Sequence, residues 1–370
     1  MDGISALVLI GIDASRITRR QRTGTENYSL QVLRHLLQLD DAHDYRLYLS
    51  QPLEPGLLPD RPRVSSKVIR LPRLWTQLGL SREMLSAPPD VLFVPSHVLP
   101  LICPARSVVV VYDVGHRFFP RAHTVPEWLY VEWAIRRHVR RATALLTISE
   151  ASKRDLVRLY GADPARIDVA YPAVDDAFQP AAEPEIQRVR AKYGLAGPYV
   201  LHLGTVKPRK NLPRLIHAFA QLPSDLQLAL AGMTTFGGAA VERAIDQAAV
   251  AHRVRRLAYV PNEDLPALYS GAACVAIVSL YEGFGMPALE ALSCGAPLVA
   301  SNRGSLPEIV GEAAVVVDPL DVAAISGGLN RALHDAERLR RAGPPRAAYF
   351  TWSEAARVTA AVLDRAGRPG

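Results

Sequence analysis

The chain has 370 residues, 49% of them hydrophobic and 21% charged, with a formal net charge of +7. That length exceeds what one hydrophobic core supports and calls for two domains, and the balance of apolar to charged residues excludes general disorder. The positive excess is mostly arginine and is spread along the chain rather than gathered in a stripe, which suits anionic ligands and argues against nucleic-acid binding.

Short apolar runs alternate with helical patterns from the first residues on. Strands are predicted at 6–12, 45–49, 68–71, 91–94, 108–112 and 144–148. Leu30, Leu33, Leu36 and Leu37 recur at helical spacing, as do Trp128, Val131, Ile135 and Val139. Strands that are apolar throughout, rather than alternating, point to a parallel sheet covered on both faces. The rhythm restarts after Pro198, with strands predicted at 199–203, 226–231, 257–260, 274–278, 298–300 and 314–317. Pro172, Pro180, Pro184 and Pro198 mark the joint. The fold class is therefore α/β, with two doubly wound, Rossmann-like domains at 1–178 and 179–352 facing across a cleft. A last helix, 353–370, is placed back on the first domain.

Cys103, Cys274 and Cys294 have no metal-ligand spacing and read as small core residues of a protein from a reducing cytoplasm. No signal-peptide pattern and no run of ~18 apolar residues is expected to take the chain into a bilayer. The Trp128–Arg141 stretch, WLYVEWAIRRHVRR, reads foremost as a helix packed on the sheet with a solvated basic face. The alternative is contact with anionic lipid, which would make a cytoplasmic protein peripheral to the inner membrane surface.

Three segments carry chemistry. The strongest is YEGFGMPALEALSCG, 281–295. A strand ends before it, Gly283 and Gly285 open a loop, Pro287 fits the first turn of a helix, and Gly295 closes that helix. The amides from Phe284 through Met286 to Ala288 are expected unpaired at the helix start, where an anion such as a diphosphate is favoured. Glu282 in the loop and Glu290 in the first helical turn are placed to accept hydroxyl hydrogen bonds from a sugar or ribose diol. The second segment is LHLGTVKPRKNL, 201–212, in which Lys207, Arg209 and Lys210 gather charge at the end of a strand. Such a cluster neutralises a leaving diphosphate as its charge grows. The third is RTGTENYSLQVL, 22–33, where Thr23 and Glu26 form a capping box and Gly24 sits at the helix entrance.

Taken together with YDVGHRFFP, LLTISEASKRDL and VPNEDLPALYSGA, these segments resemble the retaining glycosyltransferases of family 4, of GT-B fold, over nearly the whole chain. The overall pattern looks most like bacterial mannosyltransferases of cell-surface polysaccharide and lipopolysaccharide synthesis. The resemblance implies that Lys210 and Arg209 hold the donor diphosphate, with the Gly24 backbone approaching from the other domain. It implies that Glu282 and the amides of Phe284 and Gly285 hold the transferred sugar, that Glu290 takes the ribose diol, and that the backbone near Val260 meets the base. No metal and no cofactor is implied; the co-substrate is a nucleotide sugar, GDP-mannose being favoured, and the acceptor a glycan or lipid-linked chain. Where relatives carry His-Asp this sequence has Tyr112-Asp113. Either Tyr112 or His116 is left to meet the donor sugar, unless His116 is structural and Asp113 caps the next turn. Lys207 stands where relatives often carry an acid, which leaves its contacts open. A same-fold epimerase and a non-catalytic sugar-nucleotide binder are the rival readings.

Overall fold

The computed structural model describes residues 7–18, 24–39, 42–71, 73–95, 98–233 and 237–368. In chain order the first part holds β1 (Leu9–Asp13), α1 (Gly24–Leu39), β2 (Asp44–Leu49), β3 (Val64–Val68), a π-helical turn (Trp75–Leu80) leading into α2 (Ser81–Ser86), and β4 (Val91–Val94). It continues with β5 (Ser107–Val111), α3 (Gly115–Phe118), α4 (Val125–Arg141), β6 (Ala144–Thr147), α5 (Glu150–Tyr160) and β7 (Ile167–Val169). The second part opens with α6 (Glu183–Lys192), β8 (Tyr199–Leu203), α7 (Leu212–Phe219), β9 (Gln227–Ala231), α8 (Gly238–Gln247) and β10 (Val254–Ala258). Then follow α9 (Leu265–Ser270), β11 (Cys274–Ile277), α10 (Met286–Ser293), β12 (Leu298–Ser301), α11 (Leu306–Val310), β13 (Val315–Val317), α12 (Val322–His334) and α13 (Ala336–Ala347). Last is α14 (Trp352–Gly367).

Two parallel sheets result, of order β3-β2-β1-β4-β5-β6-β7 and β10-β9-β8-β11-β12-β13. The central strands β4, β5, β11 and β12 are buried at every position. That explains their unbroken apolar sequence, because helices cover both faces. The two packed units are the described residues of Met1–His116, Thr124–Pro172 and Thr351–Gly370, and of Arg117–His123 with Ala173–Phe350. The chain thus leaves the first unit after Pro172, at the first proline of the joint and a little before the expected limit at residue 178.

The three strands that depart furthest from the sequence reading lie at sheet edges. β3 occupies 64–68 rather than 68–71, β10 occupies 254–258 rather than 257–260, and β7 went unread. An edge strand has one neighbour and an open side, so VSSKV and VRRLA mix polar with apolar residues. α14 packs on α1, where the rings of Tyr28 and Trp352 meet edge to face at 5.8 Å. Arg365 pairs with Asp168, and Arg106 donates to the Gly367 carbonyl.

Candidate active site

In the second sheet the strand order reverses between β8 and β11: successive strands run outward from β8 on one side and from β11 on the other. Loops leaving two such strands diverge and open a crevice at their carboxyl ends. Both strong motifs emerge there. After β8 the chain makes a single 3-10 turn, Pro208–Lys210, and Asn211 follows in the left-handed conformation. The Asn211 side chain anchors that turn, its carboxamide Nδ2 donating to the carbonyls of Val278 (3.1 Å) and Pro319 (2.6 Å). The Leu280 amide donates to the Arg209 carbonyl at 2.7 Å, which ties the loop after β11 to the same turn.

This bracing brings three charged groups together. Lys210 Nζ lies 2.7 Å from Glu282 Oε1, and Arg209 donates to Glu282 Oε2 and to the Tyr281 carbonyl. Lys210 and Glu282 are both buried. Burial pushes the Glu282 carboxyl up, but Lys210 and then Arg209 outweigh it and hold its pKa at about 2. The sequence reading assigned lysine and glutamate to different parts of a ligand and did not foresee that they pair. Each carboxylate oxygen keeps a further lone pair, so the ion cluster leaves Glu282 able to accept hydroxyls.

Next to the cluster α10 begins. Gly285 precedes it with φ of 99°, and a Cβ there would sit 2.6 Å from Leu306. Gly304 (φ 61°) lies against the Glu282 backbone so closely that a Cβ would meet its carbonyl at 2.6 Å. The Ser305 hydroxyl donates to the Phe284 carbonyl at 2.7 Å and approaches that of Glu282 at 3.1 Å. The Phe284 ring is buried edge-on to Phe350, over which the Arg346 guanidinium stacks. Helix start and carboxylate are thereby fixed in one rigid loop.

Two expectations change here. The run of open amides is shorter than Phe284 to Ala288, because Ala288 N–H donates to the Gly285 carbonyl at 2.8 Å and Pro287 has none to give. Among the described residues, the amides of Gly285 and Met286 meet no protein acceptor. Glu290 is the fifth residue of α10, past its first turn. It accepts a hydrogen bond from the Tyr269 hydroxyl at 2.8 Å, and burial raises its pKa to about 7. Val260 is buried two residues beyond β10, and Lys207 is exposed, outside the ion cluster.

Residues the motif reading missed are Tyr269, Ser305, Gly304 and His202. His202 on β8 is buried, with Nδ1 2.9 Å from the Ala276 carbonyl and Nε2 unpartnered. Burial, helped by Lys210, lowers its pKa to about 4 and keeps it neutral. Its place in LHLG directly before the basic turn was the available signal; Ser305 and Gly304 had none, because they act through a distant loop.

The remaining candidates belong to the first unit. Gly24 opens α1 and is exposed, while the Thr23 cap lies outside the described residues. Tyr112 donates from its hydroxyl to the Pro95 carbonyl at 2.6 Å and stacks edge-on with Tyr28 at 5.4 Å. Asp113 accepts from the Gly115 amide at 2.7 Å, so it caps the turn that follows. His116 is buried, with Nε2 3.1 Å from both Glu132 Oε2 and the Tyr160 hydroxyl. That places it in a buried polar network joining α3, α4 and α5, the setting of the structural one of the two roles its sequence leaves open.

Comparison with known proteins adds independent findings. Residues 185–345 match the family described as Glycosyl transferases group 1, and residues 22–178 match Glycosyltransferase Family 4. The chain is 35% identical over 255 residues to the O-antigen chain mannosyltransferase B of Escherichia coli, covering 67% of each. It is 34% identical to the MMP alpha-(1->4)-mannosyltransferase of Mycolicibacterium hassiacum, covering 62% of this chain and 56% of that one. Among solved structures, Anabaena HepE in complex with UDP and glucose superposes with a TM-score of 0.72 at 19% identity, covering 96% of this chain and 99% of that chain. At that identity the likeness concerns the fold, which is of GT-B type.

Proposed function

The chain belongs to the group 1 glycosyltransferases, and from that premise we propose that it transfers a hexose, mannose in the favoured reading, from a nucleoside diphosphate to a glycan or lipid-linked acceptor. GDP-mannose is the donor in this reading, and the work is done peripherally at the cytoplasmic face of a membrane that carries the acceptor. Lys210 and Arg209 hold the diphosphate, and the amides of Gly285 and Met286 complete its cradle. Glu282 accepts hydroxyls of the transferred sugar, Glu290 takes the ribose diol, and the first unit serves the acceptor. Departure of the diphosphate is assisted by cations and by the α10 start, with no metal required. The acceptor hydroxyl attacks from the side of the leaving group, passing its proton to a phosphate oxygen, so configuration at the sugar is retained.

The observation that carries the reading is the Lys210–Glu282–Arg209 cluster, set at the reversal point of the second sheet beside two amides without protein acceptors. Two cations around one carboxylate leave positive charge to spare, as an anionic donor needs. The epimerase alternative finds no support among the relatives. The test is thermal unfolding of the full chain with GDP, UDP, GDP-mannose and UDP-glucose, followed by sugar transfer to extracted lipid-linked acceptor. GDP and GDP-mannose are expected to raise the melting point, and Lys210→Ala to abolish that rise. Donor consumption without acceptor, or no nucleotide response at all, refutes the assignment.

A further inference from the structure

Among the described residues, more than half of the large apolar side chains exposed to solvent lie on three short segments of the first unit. They are the π-helical turn running into α2, the loop 98–103, and the N-terminal half of α4. Hydrogen bonds hold the segments side by side: Gln77 donates to the Tyr130 hydroxyl, the Ile102 amide to Ser81 Oγ, and Arg137 to the carbonyls of Leu99, Pro100 and Leu101. Leu74, Leu78, Leu101, Leu129, Tyr130 and Trp133 are thus exposed on one connected face, with the Tyr130 and Trp133 rings 5.9 Å apart. A helix merely packed on a sheet would turn such residues inward; α4 buries Ala134, Ile135 and His138 and leaves the aromatic stripe outside.

The charge around this face has one sign. Arg73, Arg82, Arg140 and Arg141 are exposed, and among the described residues none of them has an acidic partner. On the same segments Glu83 and Glu132 are buried and paired, which leaves Glu127, engaged in capping α4, as the exposed acid. Two other arginines of α4 are occupied: Arg137 binds loop carbonyls and Arg136 pairs with Glu132. On α4 the attraction therefore rests on Arg140 and Arg141 and on the exposed apolar surface beside them.

We infer that this face seats on the surface of a bilayer carrying anionic headgroups, with Leu129, Tyr130 and Trp133 entering the headgroup region and Arg140 and Arg141 meeting the charge. The inference rests on the membrane-bound acceptor reading and names the surface that serves it. Amphipathic aromatic rings sit well at that boundary, and apolar insertion combined with basic residues holds more firmly than either signal alone. Among the described residues no helix is long and apolar enough to cross a membrane, so attachment of this kind is reversible.

The test is sedimentation of the full chain with vesicles of phosphatidylcholine alone or mixed with phosphatidylglycerol. Wild type is expected to pellet with the mixed vesicles, not the neutral ones, and to be released by salt. Leu129→Asp with Trp133→Asp, and separately Arg140→Glu with Arg141→Glu, are each expected to weaken retention by roughly tenfold. Both should keep the wild-type melting temperature and its rise with GDP, which shows that they fold. Equal retention on neutral vesicles, or unchanged retention of both variants, overturns the inference. So does a wild-type dimer that Leu129→Asp with Trp133→Asp converts to monomer, since the face would then belong to a second copy. A GDP response that survives lost vesicle binding leaves the donor reading intact, and vesicle binding without a GDP response upholds the membrane face alone.

Discussion

Lys210 and Glu282 are a single buried unit, so removing either partner has a different consequence. Lys210→Ala leaves Glu282 paired with Arg209, and the expected result is a folded protein whose turnover falls by about 10²–10³, the usual loss for one group that stabilises developing charge. Glu282→Ala strands the Lys210 ammonium, which is only 6% exposed. Breaking a buried pair in this way destabilises by about 3–5 kcal/mol, so melting temperature as well as activity is expected to drop. With its pKa held at about 2, Glu282 stabilises the fold above its ordinary 4.5, and that contribution fades as pH falls from there toward 2. Glu290 has the opposite sign. Its carboxyl, raised to about 7, keeps a proton that the unfolded chain would release from 4.5 upward, so its contribution to stability is lost as pH rises toward 7. Ribose binding by an ionised Glu290 then predicts donor KM falling between about pH 6 and 8, and a flat profile in Glu290→Gln; steady-state kinetics across that range decide it.

At the scale of elements, the legible parts were those whose sequence acts locally. Central strands announce themselves by unbroken apolar runs, and the α10 start by Gly285 followed by Pro287. Edge strands β3, β7 and β10 escaped because their open side tolerates lysine, serine and arginine. The site was legible in its motif residues and not in its supports. Nothing in the sequence links Ser305 to Phe284, or Arg346 through Phe350 to the same loop, because those pairings arise only once β12 and α13 are packed. Helix α14 shows how much a weak sequence pattern can carry. Trp352 is nearly buried and its ring meets Tyr28, which in turn donates its hydroxyl to the Ala170 carbonyl at 3.1 Å. Trp352→Ala is expected to destabilise the first unit by about 3–5 kcal/mol, read as a lowered urea midpoint of that unit's transition.

For the molecule as a whole, each unit has its own sheet and core, so a donor held by one of them should protect that one. Hydrogen exchange of the full chain with saturating GDP-mannose is expected to slow at 204–212 and 282–291, while β2 and β3 remain as in the free protein. Slowing confined to the first unit would reverse the assignment of donor to the second.

The placement of α14 also has a consequence during synthesis. The helix that covers α1 is encoded after every residue of the second unit. A nascent chain therefore completes the second unit while the side of α1 that carries Tyr28 awaits the Trp352 ring and the rest of its cover. Until α14 emerges, the earlier-made unit stays the less finished one, and its apolar flank is a natural target for ribosome-associated chaperones.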